Sequence, residues 1–178
     1  MKKSKLIQIS LIGSDADLKD SQLLQKMAFD IGRYIAQNNA VLITSGEKRG
    51  GLTKMAAKGA WKEKGIVIGI MGNKNNALPY LTSIIDIGTT KEGLREFFLI
   101  NSCDAVIAIG GGSGTLNELT IAYQNKIPVV CVTKGEGWAK DLAGKFLDKR
   151  KYYRFEKAST AKEAVEKALK LARKETTL

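Results

Sequence analysis

Glu118 and Arg95 are the side chains whose types fit bond-breaking chemistry, and a glycine-rich turn, Gly110-Gly111-Gly112-Ser113-Gly114-Thr115, lies between them in the chain. A carboxylate beside an anomeric carbon stabilises positive charge building on a ribose and orients a water. A guanidinium pairs with such an acid or grips a phosphate through its planar fork. The turn follows the apolar run Ala105 to Ile109, which is too short for a helix and reads as a buried strand. Its glycines let the backbone turn sharply with positive φ. Beyond Gly114, the spacing of Leu116, Leu119, Ile121 and Ala122 predicts a helix, so the amides of Gly111, Gly112, Ser113, Gly114 and Thr115 and the positive helix end face one anion site. Ser113 and Thr115 add hydroxyl donors. The plainer alternatives are a tight strand-to-helix connection, a first-turn acid at Glu118 and a solvated helical charge at Arg95.

Neither standard phosphate motif fits. Counted from Gly110 or Gly112, the third glycine of the dinucleotide fingerprint falls on Thr115 or Asn117. Gly46 and Gly51 have the outer spacing of a P-loop, but Leu52 stands where its lysine belongs. Asp15 and Glu47 are weaker candidates for contacts to ligand hydroxyls; Cys103 and Trp61 read as core.

The elements that must position these groups alternate. Leu6 to Ile12 reads as a strand ending at Gly13-Ser14, followed by a helix from about Ser21 to Gln37 with an apolar stripe at helical period. Ala40 to Thr44 is a second strand, and Ser45 to Gly51, containing Gly46, a second flexible loop. The helix that follows closes at Lys64-Gly65, and Gly65 to Met71 is strand three. The polar segment Gly72 to Pro79 reads as mobile and lid-like. Ile84 to Ile87 is a short strand, Lys91 to Ser102 a helix, Ile127 to Val132 a buried strand and Trp138 to Leu147 a helix. Tyr152 to Phe155 alternates like an edge strand, and Thr160 with Glu163 forms a capping box for the last helix. This alternation predicts a three-layer α/β fold with a mainly parallel sheet and right-handed crossovers. Ligands bind beyond the carboxyl ends of such strands, where the loops at Gly13-Ser14, Ser45 to Gly51 and Gly110 to Thr115 lie.

The 178 residues suit one domain, 1–178. Lys2, Lys3 and Lys5 precede an apolar stretch, but Gln8, Ser10 and Gly13 interrupt it too early for a secretory signal, and no stretch suits a membrane span; the expectation is a cytoplasmic protein without membrane partners. The chain has no histidine, and its two cysteines, Cys103 and Cys131, read as packing thiols, so neither a metal nor a bound cofactor is expected. Much of the net charge of +11 lies beyond Lys140. It reads as a solvated helix face in preference to a nucleic-acid surface, while exerting a general pull on phosphorylated ligands.

Gly111-Gly112-Ser113-Gly114-Thr115-Leu116-Asn117-Glu118 resembles the Pro-Gly-Gly-x-Gly-Thr-x-x-Glu signature of the Lonely Guy (LOG) family, historically mislabelled lysine decarboxylases. Arg95, nine residues before Asp104, has the spacing that family shows between its active-site arginine and the aspartate opening the strand. Ser45-Gly46 with Arg49 to Leu52, and Gly13-Ser14, resemble its other two loops. Gly110 replaces the signature proline, and Glu47 and Lys48 stand among the glycines of the second loop, details closer to the small prokaryotic branch that includes molybdenum-cofactor-carrier-like proteins. The resemblance implies a Rossmann-like fold without the dinucleotide fingerprint, a homodimer or higher homo-oligomer, and in active members hydrolysis of the N-glycosidic bond of nucleoside 5′-monophosphates, with Arg95 and Glu118 catalytic. Three readings stand: a phosphoribohydrolase, a non-catalytic binder of a nucleotide or pterin-type phosphate ligand, and a single-strand nucleic-acid binder acting through the basic C-terminal region.

Overall fold

Seven segments form one sheet in which every described pairing is parallel. The computed structural model describes residues 6–14, 22–91 and 93–175, so the expectations placed on Asp15 and on the start of the first helix at Ser21 lie outside the described residues. In chain order the elements are β1 (Gln8–Gly13), α1 (Gln22–Gln37), β2 (Val41–Thr44), α2 (Gly51–Lys62), β3 (Val67–Met71), β4 (Ser83–Asp86), α3 (Leu94–Asn101), β5 (Ala105–Ile109), α4 (Ser113–Gln124), β6 (Val129–Val132), α5 (Trp138–Leu142), β7 (Glu156–Ala158) and α6 (Ala161–Glu175). The strand order is β4-β3-β2-β1-β5-β6-β7. The chain therefore builds outward from β1 to β4, returns past β1 to lay down β5, and builds outward on the other side.

Both faces of this sheet are covered, which is why its central strands read as continuous apolar runs. Alternation sends Ile9, Leu11, Leu42, Ala105 and Ile107 to one core, where Leu24, Ile31 and Ile35 of α1, Leu52 and Ala56 of α2 and Val165 of α6 meet them. Ile12, Ile43, Val106 and Ala108 go to the other, against Leu99 and Ile100 of α3, Leu119 and Tyr123 of α4 and Ala139 of α5. Two helical layers enclose one sheet, as the alternation of elements predicts.

The departures have local causes. The segment expected to be mobile, Gly72 to Pro79, contains a 3-10 turn at Lys74–Asn76 capped by the Asn73 side chain. It is tied to the β2–α2 loop by the Lys48 amide on the Asn76 carbonyl (3.0 Å) and the Leu78 amide on the Gly46 carbonyl (2.8 Å). Trp61, expected in the core, is 51% exposed and packs on the Tyr80 ring, with centroids 5.6 Å apart. The Tyr152–Phe155 segment is no strand; β7 starts after it, because those rings gather on Tyr123 instead of pairing along the sheet. α5 ends at Leu142, not Leu147, since the Gly144 amide turns to the Phe155 carbonyl (2.9 Å). The last helix is capped as expected at Thr160, whose hydroxyl accepts the Glu163 amide (3.2 Å), but the Glu163 carboxylate reaches back one residue further, to the Ser159 amide (2.8 Å).

Candidate functional site

The reversal of strand order between β1 and β5 opens a crevice at their carboxyl ends. Gly13 closes β1 directly opposite Ile109, the last residue of β5. A Cβ on Gly13 would lie 2.4 Å from the Ile109 carbonyl oxygen, so only glycine allows this approach. The next residue, Ser14, is buried, and its hydroxyl accepts the Gly111 amide (2.9 Å). Gly111 itself has φ +95°, and a Cβ there would overlap the Thr115 side chain. From the other side, the Ala139 and Trp138 amides donate to the Gly110 and Gly111 carbonyls (3.0 and 3.1 Å). The glycine turn is thus pinned by β1 and α5, and the chain leaves it directly into α4.

At that start α4 has no side-chain cap at Gly112. The first helical bond runs from the Leu116 amide to the Gly112 carbonyl (3.0 Å). The amides of Ser113, Gly114 and Thr115 precede it and so lie where a helix has no internal acceptor. Gly112, Ser113, Gly114 and Thr115 form one wall of a cavity of about 280 Å³ whose other walls include Gly13, Ser45, Thr53, Arg95, Glu96, Leu99 and Glu118. Thr53 on α2 is 6% exposed, and its hydroxyl has no hydrogen-bond partner among the described residues.

Charge in this cavity is divided. The Arg95 guanidinium is 2.9 Å from the Glu47 carboxylate and 2.7 Å from that of Glu96. Burial disfavours charge on Arg95, but the two acids more than offset it and hold the guanidinium protonated. Burial likewise opposes ionisation of Glu96, which is 4% exposed, yet its own backbone amide, Arg95 and the Gly93 amide keep its carboxyl below the ordinary range. A second cavity, of about 200 Å³, shares Arg95 and Glu96 with the first and adds Glu47, Thr89, Thr90 and Lys91. With carboxylates outnumbering the guanidinium, an anion finds its attraction at the α4 amides, while hydroxyl or N–H groups of a ligand find acceptors at the acids. Cys103 and Cys131 take no part as nucleophiles: burial, with the charges of Asp104 and Glu118 adding to it, raises the Cys103 thiol, and burial pushes Cys131 up to about 12.

Of the residues singled out in the sequence, seven line this cavity: Gly13, Arg95, Gly112, Ser113, Gly114, Thr115 and Glu118. Ser14 and Gly111 stand behind it, bonded to each other. Gly46 is buried at the junction with the 72–79 segment, where a side chain would strike Gly69. Glu47 meets Arg95, the partner that sequence reasoning gave to Glu118.

Sequence comparison adds an independent observation: the profile of the SLOG cluster4 family matches residues 6–167. The chain belongs to that family. Its SLOG cluster4 sequence is 34% identical over 120 residues to an uncharacterized protein of Archaeoglobus fulgidus, covering 67% of this chain and 76% of the relative. Among solved structures, TM1055 superposes with a TM-score of 0.83 at 26% identity over 93% of this chain and 99% of its own. The molybdenum cofactor binding protein of the phototrophic bacterium Rippkaea orientalis does so with a TM-score of 0.81 at 26% identity, covering 95% and 99%. The glycine turn, Arg95 and Glu118 were the legible parts of the lining of this cavity. Glu96 and Thr53 were missed; an acid adjacent to the key arginine and a hydroxyl on an otherwise apolar helix face were the available signals.

Proposed function

We propose that this protein binds a small phosphorylated ligand, a nucleotide or a phosphorylated pterin, in the switch-point cavity and holds it without turnover. The observation that carries this reading is that uncapped helix amides at Gly112 to Thr115 and the carboxylates of Glu96 and Glu118 line one cavity, with Glu47 in the neighbouring one. Phosphate sits on the amides. The donor-rich remainder, ribose hydroxyls or the N–H edge of a pterin, faces the acids, and the buried Thr53 hydroxyl gains the partner it lacks. Arg95, already committed to two carboxylates, stiffens the wall between the two cavities. The pterin side of the reading is supported by the molybdenum cofactor binding protein of Rippkaea orientalis at 26% identity.

A second reading rests on Glu118 lining the same cavity as Arg95. In it the bond between the ribose anomeric carbon and the base nitrogen breaks and the electron pair leaves with the base. The Glu118 carboxylate stabilises the cationic ribose and takes a proton from the water that adds to it, and that proton passes to the base. Self-association belongs to both readings and is carried by α3, whose Leu94, Phe97 and Phe98 are about half exposed on the helix that bears Arg95.

The experiment incubates the protein with a panel of nucleoside 5′-monophosphates and a phosphorylated pterin, following melting temperature and free base together. Stabilisation without release of base is expected. Release of base with ribose 5-phosphate selects hydrolysis, and the absence of stabilisation by every phosphorylated compound overturns both readings.

A further inference from the structure

We propose that the opposite end of the sheet carries a second binding site, for a planar aromatic anion: a ring or heteroaromatic ring bearing a carboxylate, sulfonate or phosphate monoester. Val129 opens β6 and Glu156 opens β7, and beside these amino ends of parallel strands lies a cavity of about 420 Å³. The switch-point cavity lies at the carboxyl ends, so the two are separate sites. Pro128, Val129 and Leu171 supply apolar wall, Tyr152 an aromatic ring, and Lys126 and Arg154 two cations. A volume of this size, mostly apolar with a few convergent charges, is the form of a small-molecule pocket.

The Tyr152 ring is held in place from behind. Tyr152 is 46% exposed, yet its ring stacks on the fully buried Tyr123 ring at 5.3 Å and 24°, and its amide donates to the Tyr123 hydroxyl (3.0 Å). That hydroxyl in turn donates to Asp148 (2.9 Å). The cations are also held in place, by rings and not by acids: the Lys126 ammonium lies 5.7 Å from the Tyr152 ring centre and the Arg154 guanidinium 5.0 Å from that of Phe146. Neither forms an ion pair among the described residues, whereas nearby Arg150 is bound to Asp148. Two pre-positioned cations face one carboxylate, Glu156, which offers an acceptor to a ring N–H. The basic run Lys149 to Arg154, expected as part of a solvated helix face, thus folds outside any helix, and its Tyr152 and Arg154 line the cavity. Two cations at one place suit one small ligand better than an extended nucleic-acid strand, which needs a groove of positive charge that tracks successive phosphates.

The test titrates the aromatic sulfonate anilinonaphthalenesulfonate, and its uncharged counterpart phenylnaphthylamine, into the nitrogen-15-labelled full chain. Saturable binding of the sulfonate is expected, with amide shifts at Lys126, Val129, Tyr152 and Leu171 and affinity at least roughly tenfold above that of the neutral compound. Lys126→Asn with Arg154→Gln is expected to remove that preference; asparagine tolerates the positive φ of 59° at Lys126. Equal affinity for the two compounds overturns the proposal and needs no variant, so a folding defect in the double substitution leaves the test intact. Shifts confined to Leu94, Phe97 and Phe98 or to Gly112–Thr115, an unchanged preference in the folded variant, or displacement of the dye by a single-stranded oligonucleotide with a steep salt dependence also overturn it.

Discussion

Arg95 lies between Glu47 and Glu96, and that arrangement limits what it offers a ligand. Replacing it with glutamine leaves the Glu96 carboxylate buried with only backbone amides as donors. The expected loss is about 2–3 kcal/mol in urea unfolding, below the full value for a buried pair because Arg95 is a quarter exposed. Thr53→Val is expected to behave in the opposite way. Its buried hydroxyl lacks a partner among the described residues, so the isosteric change should leave the ligand-free protein as stable or more stable while cutting ligand-induced stabilisation. Equal ligand shifts in Thr53→Val and the parent protein would remove Thr53 from the site. That Arg95, Glu118 and the glycine turn share one cavity was foreshadowed in the sequence because charge and glycine stand out against apolar runs. Glu96 was not, since residues adjacent in a helix normally diverge; only the close approach of the guanidinium to its neighbour's carboxylate joins them.

The turn between β5 and α4 is held in place by the elements on either side. Ser14→Ala leaves the Gly111 amide without its acceptor in a buried setting, at an expected cost of about 1–3 kcal/mol and with weaker ligand binding, both readable from melts with and without AMP. At the start of α6, the Lys167 ammonium and the Ser159 amide pull the Glu163 carboxyl down to about 2. A depressed folded value means that this contribution is complete above the ordinary carboxylate value of 4.5 and disappears as pH falls toward 2. Melting temperature should therefore fall less steeply across that window in Glu163→Gln than in the parent; identical slopes would contradict the cap. Strands buried on both faces announced themselves by apolar runs, as in β5 and β6. Elements shaped by long-range contacts did not: the Tyr152–Phe155 segment alternates like a strand yet yields to the Tyr123 ring, and the polar 72–79 segment is anchored by backbone bonds that no side-chain pattern records.

The whole molecule reverses strand order between β1 and β5, and it is this reversal that brings Gly13, Arg95 and Gly112 to Glu118 around one cavity. Alternating strands and helices made the parallel three-layer fold legible, but the sheet order depends on pairings between distant segments. The exposed Leu94, Phe97 and Phe98 lead us to expect a dimer or larger assembly in sedimentation velocity, and Phe97→Ser with Phe98→Ser to shift it toward monomer. A monomeric parent protein would contradict that expectation. The central claim, that a phosphate rests on the uncapped start of α4, is tested most directly by a crystal structure with AMP bound. The account predicts phosphate oxygens within hydrogen-bonding distance of the Ser113, Gly114 and Thr115 amides, with the ribose toward Glu118. A nucleotide bound elsewhere, with those amides turned away from it, would contradict it.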